Sequence, residues 1–151
     1  MPRPSAAGAR STERLAIMDH TSSMQEMVKG LLPDLLGMEF TDVDPEKVTA
    51  QLSVRKDLCT VGDNLHGGAI MAFADTLGAV AAILNMPKGS RTTTIESKTN
   101  FIRGAPLGSR VVGESVPVHK GRTTVVCQTT IRSEEGKLVA LVTQTQLVIP
   151  A

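Results

Sequence analysis

The segment 64-NLHGGAIMAFADTLGAVAAIL-84 decides how the rest of the chain is read. From Ala69 to Leu84 it is apolar on every helical face, and Asp75 is the only charge between Gly67 and Pro87. A helix without a polar stripe has to be covered all round. A bilayer would do this, but the run is shorter than the ~20 residues a span requires and it carries a carboxylate. That leaves protein as the cover: a curved sheet around most of the helix, with a second subunit available for the rest. Burying a carboxylate is unfavourable unless it is paired or protonated, so Asp75 needs a reason to be there.

Outward from this helix the hydrophobic period changes. Upstream, VTAQLSV (48–54) sets Val48, Ala50, Leu52 and Val54 against Thr49, Gln51 and Ser53, the period of a half-buried strand. A shorter strand from Phe40 to Val43 precedes it through the turn at Asp44-Pro45-Glu46. Downstream lie four β-branched runs, TTTIESKTNFI, VVGESVPVH, TTVVCQTTIR and LVALVTQTQLVI. The turns between them fall at Gly104 to Gly108, Lys120-Gly121 and Glu135-Gly136 and favour antiparallel hairpins. One long helix and about six strands predict an α+β domain with the helix on an antiparallel sheet. A sheet wrapped round one central helix is the hot-dog architecture, and the order β, β, helix, then four strands fits it. Before these elements, MQEMVKGLL spaces Met24, Met27, Val28, Leu31 and Leu32 as on a surface helix, with Ser22 or Ser23 as cap and Pro33 as its end or kink. Residues 1–20 have the look of a disordered leader without an apolar signal segment, and the domain occupies 21–151.

Composition excludes several classes of function. The chain has 151 residues, 41% of them hydrophobic, and a formal net charge of +1, so one sizeable core is possible and no global charge draws it to nucleic acid or an anionic membrane. With no Trp, no Tyr and three Phe it lacks the aromatic platforms that stack single-stranded bases. Cys59 and Cys127 are far apart, form no C-x-x-C pair, and are expected as reduced thiols in a cytoplasmic protein. No glycine loop of the nucleotide-binding kinds is present.

His66-Gly67-Gly68, followed by Asp75 nine residues after the histidine, resembles the signature of hot-dog acyl-CoA thioesterases of the phenylacetate-pathway type, within the 4-hydroxybenzoyl-CoA thioesterase superfamily. ESKTNFIRGAP is similar to the family's strand after the helix, and the resemblance covers roughly Leu35 to Val148. It implies that His66 and a glycine amide of one protomer act with the Asp of its partner. It also implies a Ser or Thr on the following strand that orients the attacking water, and Thr94 of the RTTT run stands there. The family's Asn, about six residues before the His, is Thr60 in this chain, while Asn64 lies two before. Either Asn64 substitutes through a different loop path or that interaction is missing.

The residues fit the chemistry without the resemblance. Thioester hydrolysis develops negative charge on the carbonyl oxygen, which the free N–H groups of a helix N-terminus can hold, and Gly67 and Gly68 let backbone approach a ligand closely. Asp75 is competent as general base or as a nucleophile forming a transient anhydride. Eight residues of helix place it roughly 12 Å from Gly67, whereas reacting atoms must come within about 3 Å. A two-fold dimer with antiparallel helices brings one chain's Gly67 to the other's Asp75. A tetramer of two such dimers is a further possibility. Basic residues for the phosphates of coenzyme A are offered by His119, Lys120 and Arg122 around Gly121, with Arg103 as a second candidate. The expected activity is hydrolysis of an acyl- or aryl-CoA without metal or redox cofactor, with no nucleic-acid or membrane partner. The alternatives are a non-catalytic acyl-CoA-binding module and a hot-dog dehydratase or hydratase.

Overall fold

The computed structural model describes residues 20–151. The chain is helical over 20–27 (α1) and again over Leu32–Leu36 (α2), then runs through strands β1 (Met38–Asp44) and β2 (Lys47–Ser53). A two-stranded ribbon, β3 (Cys59–Thr60) and β4 (Asn64–Leu65), leads into the long helix α3 (Gly67–Ile83). Four long strands complete it: β5 (Arg91–Phe101), β6 (Arg110–Lys120), β7 (Thr124–Ser133) and β8 (Leu138–Ile149). The main sheet is antiparallel throughout, in the order β1-β2-β6-β7-β8-β5, and α3 lies across it. This is the hot-dog arrangement. Among the described residues no helix is long and apolar enough to cross a membrane.

The period-two pattern accounts for the core. Val48, Ala50 and Leu52 of β2, Val111 of β6, Val125, Cys127 and Ile131 of β7, and Val139 and Val142 of β8 are fully buried on the face that meets Phe73, Ala74, Leu77 and Ala81 of α3. Contact between helix and sheet is close at Gly113 of β6, where a Cβ would stand 2.5 Å from Leu77 Cδ1 and 2.7 Å from Phe73 Cε1. The opposite side of α3 is not covered within the protomer: Met71 and Ile83 are exposed there, and Ala72, Asp75 and Ala79 are half-buried.

The N-terminal helix reading needs correction. Pro33 does not end a helix running from Met24 but occupies the first turn of α2, where its missing N–H costs nothing and its fixed φ is suitable. The break falls at Gly30, with φ 75°, whose N–H donates to Asp34 Oδ2 at 2.8 Å. Ser22 and Ser23 lie inside α1 rather than capping it. The leader reading falls on residues 1–19, outside the described residues, and on His20, which is helical.

The two edges of the sheet differ. At β1, Gln25 of α1 accepts from Phe40 N–H (2.9 Å) and donates to Met38 O (3.0 Å), and Thr21 Oγ1 accepts from Val43 N–H (3.1 Å), so this edge is covered. The β5 edge is open, with Ile95, Phe101 and Ile102 all more than half exposed. β5 also carries a bulge: the register passes from Thr94↔Gln146 to Glu96↔Thr145, which leaves Ile95 as an extra residue. Before it Thr92 and Thr94 pair with buried Val148 and Gln146; after it Ser97, Thr99 and Phe101 pair with buried Gln144, Val142 and Ala140.

Candidate active site

His66 is the N-cap of α3, and its Nδ1 accepts the Gly68 N–H at 2.8 Å. The ring is therefore the cap that a Ser or Asp side chain usually provides, and Nε2 is left as its donor. With the Gly68 N–H on the His66 ring and the Ile70 N–H on His66 O, the Gly67 and Ala69 N–H groups are the first-turn donors without an acceptor among the described residues, and Gly67 is the outermost of them. Gly67 has little room for a side chain, because a Cβ there would sit 3.3 Å from the Phe101 ring. Arg103, Phe101, Ile102 and Ile70 border a cavity of about 340 Å³ beside it.

Two turns further along α3, Asp75 Oδ1 accepts from Thr94 Oγ1 at 2.7 Å. Thr94 in turn accepts from Gln146 Nε2 at 2.6 Å, and Gln146 Oε1 accepts from Thr92 Oγ1 at 3.0 Å. Gln144 Nε2 donates to the Asp75 main-chain carbonyl at 3.2 Å and reaches Oδ1 at 3.4 Å. Both glutamines are fully buried, and Gln144 Oε1 has no partner among the described residues. Gly78 makes this possible: a Cβ at that position would collide with the Gln144 amide. Sequence reasoning placed Asp75 and Thr94 but missed both glutamines and Thr92 as members of the network. The signal was present in VTQTQLV, where Gln144 and Gln146 share strand parity with Val142 and Val148 and must face the same way.

The other sequence-derived candidates lie apart from this pair. Asn64, on β4, stands directly opposite Thr60 of β3, so the ribbon brings it beside the position where an upstream Asn was sought. Its amide donates to Gly62 O at 3.0 Å, and its Oδ1 crowds the position of a Cβ on Gly104. The basic hairpin lies level with Thr94 along the sheet, through the register Lys120↔Val125, Val125↔Gln146 and Gln146↔Thr94. Three strand spacings make that about 14 Å. Lys120 is ion-paired with Glu46, His119 packs over Gly121, and Arg122 is exposed without an ion pair among the described residues. Gly121 has no room for a side chain, since a Cβ would lie 2.6 Å from His119 Nε2 and 2.9 Å from Thr124 O.

A second cavity, of about 430 Å³, opens beside His66 and Gly68 and is walled by Leu32, Leu36, Leu58 and Ala72. At its rim the Arg55 guanidinium beside Asp57 holds that carboxyl below the usual carboxylate range. Among the described residues no group of three or more His, Cys, Asp or Glu side chains could hold a metal ion.

Comparison with known proteins gives a consistent picture. Residues 62–140 match the sequence profile of the thioesterase superfamily. The chain is 31% identical over 108 residues to the proofreading thioesterase EntH of Cronobacter turicensis, covering 72% of this chain and 78% of that protein. It is 28% identical over 116 residues to the 1,4-dihydroxy-2-naphthoyl-CoA hydrolase of Escherichia coli, covering 77% and 85%. The crystal structure of a thioesterase variant from Pseudomonas aeruginosa superposes with a TM-score of 0.82 at 29% identity, covering 87% of this chain and 94% of that one.

Proposed function

Because the chain belongs to the thioesterase superfamily and is a thioester hydrolase, we propose that it hydrolyses acyl-CoA thioesters, with Asp75 as general base at a site shared between two protomers. The observation that carries this reading is the Asp75–Thr94 hydrogen bond, set on the side of α3 that its own sheet leaves uncovered. A water that donates one hydrogen to Asp75 Oδ2 and the other to Thr94 Oγ1 keeps a lone pair for the thioester carbonyl carbon. As the C–O bond forms, Asp75 takes the water proton. The free Gly67 N–H at the positive end of α3 holds the developing oxyanion. When the C–S bond breaks, the proton on Asp75 returns to the departing thiolate.

Sharing follows from the length of α3. Gly67 and Asp75 lie on one continuous helix, roughly 12 Å apart by its rise, which is too far for one substrate carbonyl to meet both. A two-fold partner against the open β5 edge and the uncovered face of α3 removes the mismatch. Two such dimers could assemble as a tetramer. The cavity beside His66 is apolar and has an ionised Asp57 at its mouth, which favours a neutral acyl or aryl group over a carboxylate-bearing one. Arg122, with His119 and Lys120 around it, supplies positive charge for the coenzyme A phosphates. The fold needs no resident cofactor in this scheme. Two free cysteines fit a reducing, cytoplasmic compartment.

The test is thiol release from acetyl-, hexanoyl-, palmitoyl- and benzoyl-CoA by the wild type and by Asp75→Asn. The variant should remain folded and dimeric while kcat falls by ~10²–10⁴, the range for a positioned acid-base group. A folded Asp75→Asn enzyme with wild-type turnover would overturn the assignment. Mixed dimers of Asp75→Asn with a variant disabled at Gly67 should regain one intact site; confirmed heterodimers without activity would refute the shared site.

A further inference from the structure

The hydrogen bonds around Asp75 have a direction, and three residues outside the reacting pair set it. Thr94 has one proton, and it points to Asp75 Oδ1 (2.7 Å). It does so because Gln146 presents an N–H to Thr94 rather than a carbonyl (2.6 Å), and that amide orientation is favoured by the Thr92 hydroxyl, whose proton lies between Gln146 Oε1 (3.0 Å) and Leu147 O (3.1 Å). If the amide flipped, its carbonyl would draw the Thr94 proton away from Asp75. Gln144 approaches from the next inward position of β8 and fixes the main chain and carboxylate of Asp75 together. Its own Oε1 is left buried and unpartnered. Leaving a buried carbonyl unsatisfied is unfavourable, and a fold selected for stability alone has no use for it.

Resting on the reading of Asp75 as base, we infer that Thr92, Gln146 and Gln144 are positioning residues that make Thr94 receive, and not give, the hydrogen bond of the attacking water. The Thr94 oxygen has two lone pairs. Gln146 occupies one and the other is available to the water; the Thr94 proton is already committed to Asp75. The water can then donate both hydrogens and is left with a lone pair directed to the substrate. None of the three residues touches substrate in this scheme.

The experiment uses the full-length protein, with the best of the four acyl-CoA substrates above, and compares Thr92→Val, Thr92→Ser, Gln146→Glu and Asp75→Asn. Thr92→Val keeps the side-chain shape and removes the hydroxyl that donates to Gln146 Oε1 and to Leu147 O. It should lower kcat about tenfold, the rate equivalent of one hydrogen bond, with KM essentially unchanged. Thr92→Ser should restore it. Gln146→Glu replaces the donor by an acceptor and should cost more, on the order of 10²-fold in kcat. Should Gln146→Glu fail to fold, the Thr92 pair decides alone. If folded Thr92→Val retains wild-type kcat while Asp75→Asn is inactive, the positioning inference falls and the base assignment stands. If Thr92→Ser fails to rescue a slow Thr92→Val, the loss reflects packing and the inference also falls. If Asp75→Asn itself is fully active, the base assignment is what has failed.

Discussion

Replacing a glycine in a helix interior by alanine ordinarily stabilises a protein by about 1 kcal/mol. At Gly78 the sign should reverse. The new methyl would stand 2.3 Å from Gln144 Cδ and 2.5 Å from its Nε2 and Oε1, far inside van der Waals contact. Gln144 is fully buried, so to clear the methyl its amide has to move by roughly an ångström and give up the 3.2 and 3.4 Å contacts to Asp75. An unsatisfied buried amide costs about 1–3 kcal/mol and overpacking a similar amount, which outweighs the helix-propensity gain and leaves Gly78→Ala less stable by about 1–3 kcal/mol. For a chain of this size that is a loss of about 2–10 °C in Tm. A double-mutant cycle with Gln144→Ala isolates the cause. In the Gln144→Ala background the clash is gone, so adding Gly78→Ala should raise Tm by the few degrees expected of an ordinary helix. Thermal melts of the four proteins, followed by circular dichroism, give the answer. Stabilisation by Gly78→Ala in both backgrounds would show that Gln144 is not wedged against the helix.

Arg122→Ala should raise KM for acyl-CoA about tenfold with kcat unchanged, because a remote phosphate contact is made equally in ground and transition states; the effect should vanish on the corresponding acyl-pantetheine thioester. Lys120→Ala, whose ammonium is already paired with Glu46, should have the smaller effect, and equal losses on both substrates would give the hairpin another role. Burial pushes the Cys127 thiol up from 9.0 to about 11, against a smaller opposing influence from Ser115. The unfolded chain therefore loses this proton first, and the stability linked to it is complete below pH 9 and lost as pH rises to about 11. Denaturant midpoints of Cys127→Ala should fall less steeply than wild type across that window, and parallel curves would remove Cys127 from the alkaline transition.

The long elements and the lone carboxylate of α3 were legible in the sequence because their signals are strong, an all-apolar helix with one charge and β-branched runs with clear period two, whereas Thr94, which hydrogen-bonds to Asp75, was reached only through the family resemblance. Other features were hidden for identifiable physical reasons. Proline stops a helix and also starts one, so Pro33 alone could not say which; Gly30, with its positive φ, settles it. The β3–β4 ribbon has two residues per strand, too few to show any period, yet it places Asn64 opposite Thr60. Gln144 and Gln146 read as the solvent side of a strand by residue type, although parity with Val142 and Val148 turns them inward. Gly68 and Gly67 looked equivalent as amide donors until the His66 ring was found to occupy one of them.

The extra residue at Ile95 makes β5 two strands of opposite phase joined end to end. Strict alternation from Thr94 would have turned Glu96, Lys98 and Asn100 toward the helix, and the strand would have been forced to offer either a partner for the Asp75 carboxylate at one end or an apolar ring at the other. By skipping a beat the chain offers both: Thr94 to the carboxylate and, seven positions on, Phe101 to the helix start. Side-chain changes on either half leave that phase intact, whereas removal of a single residue between them would invert everything downstream. The phase of β5 is therefore insensitive to substitution and sensitive to any change in length, the reverse of what an exposed sheet edge normally allows.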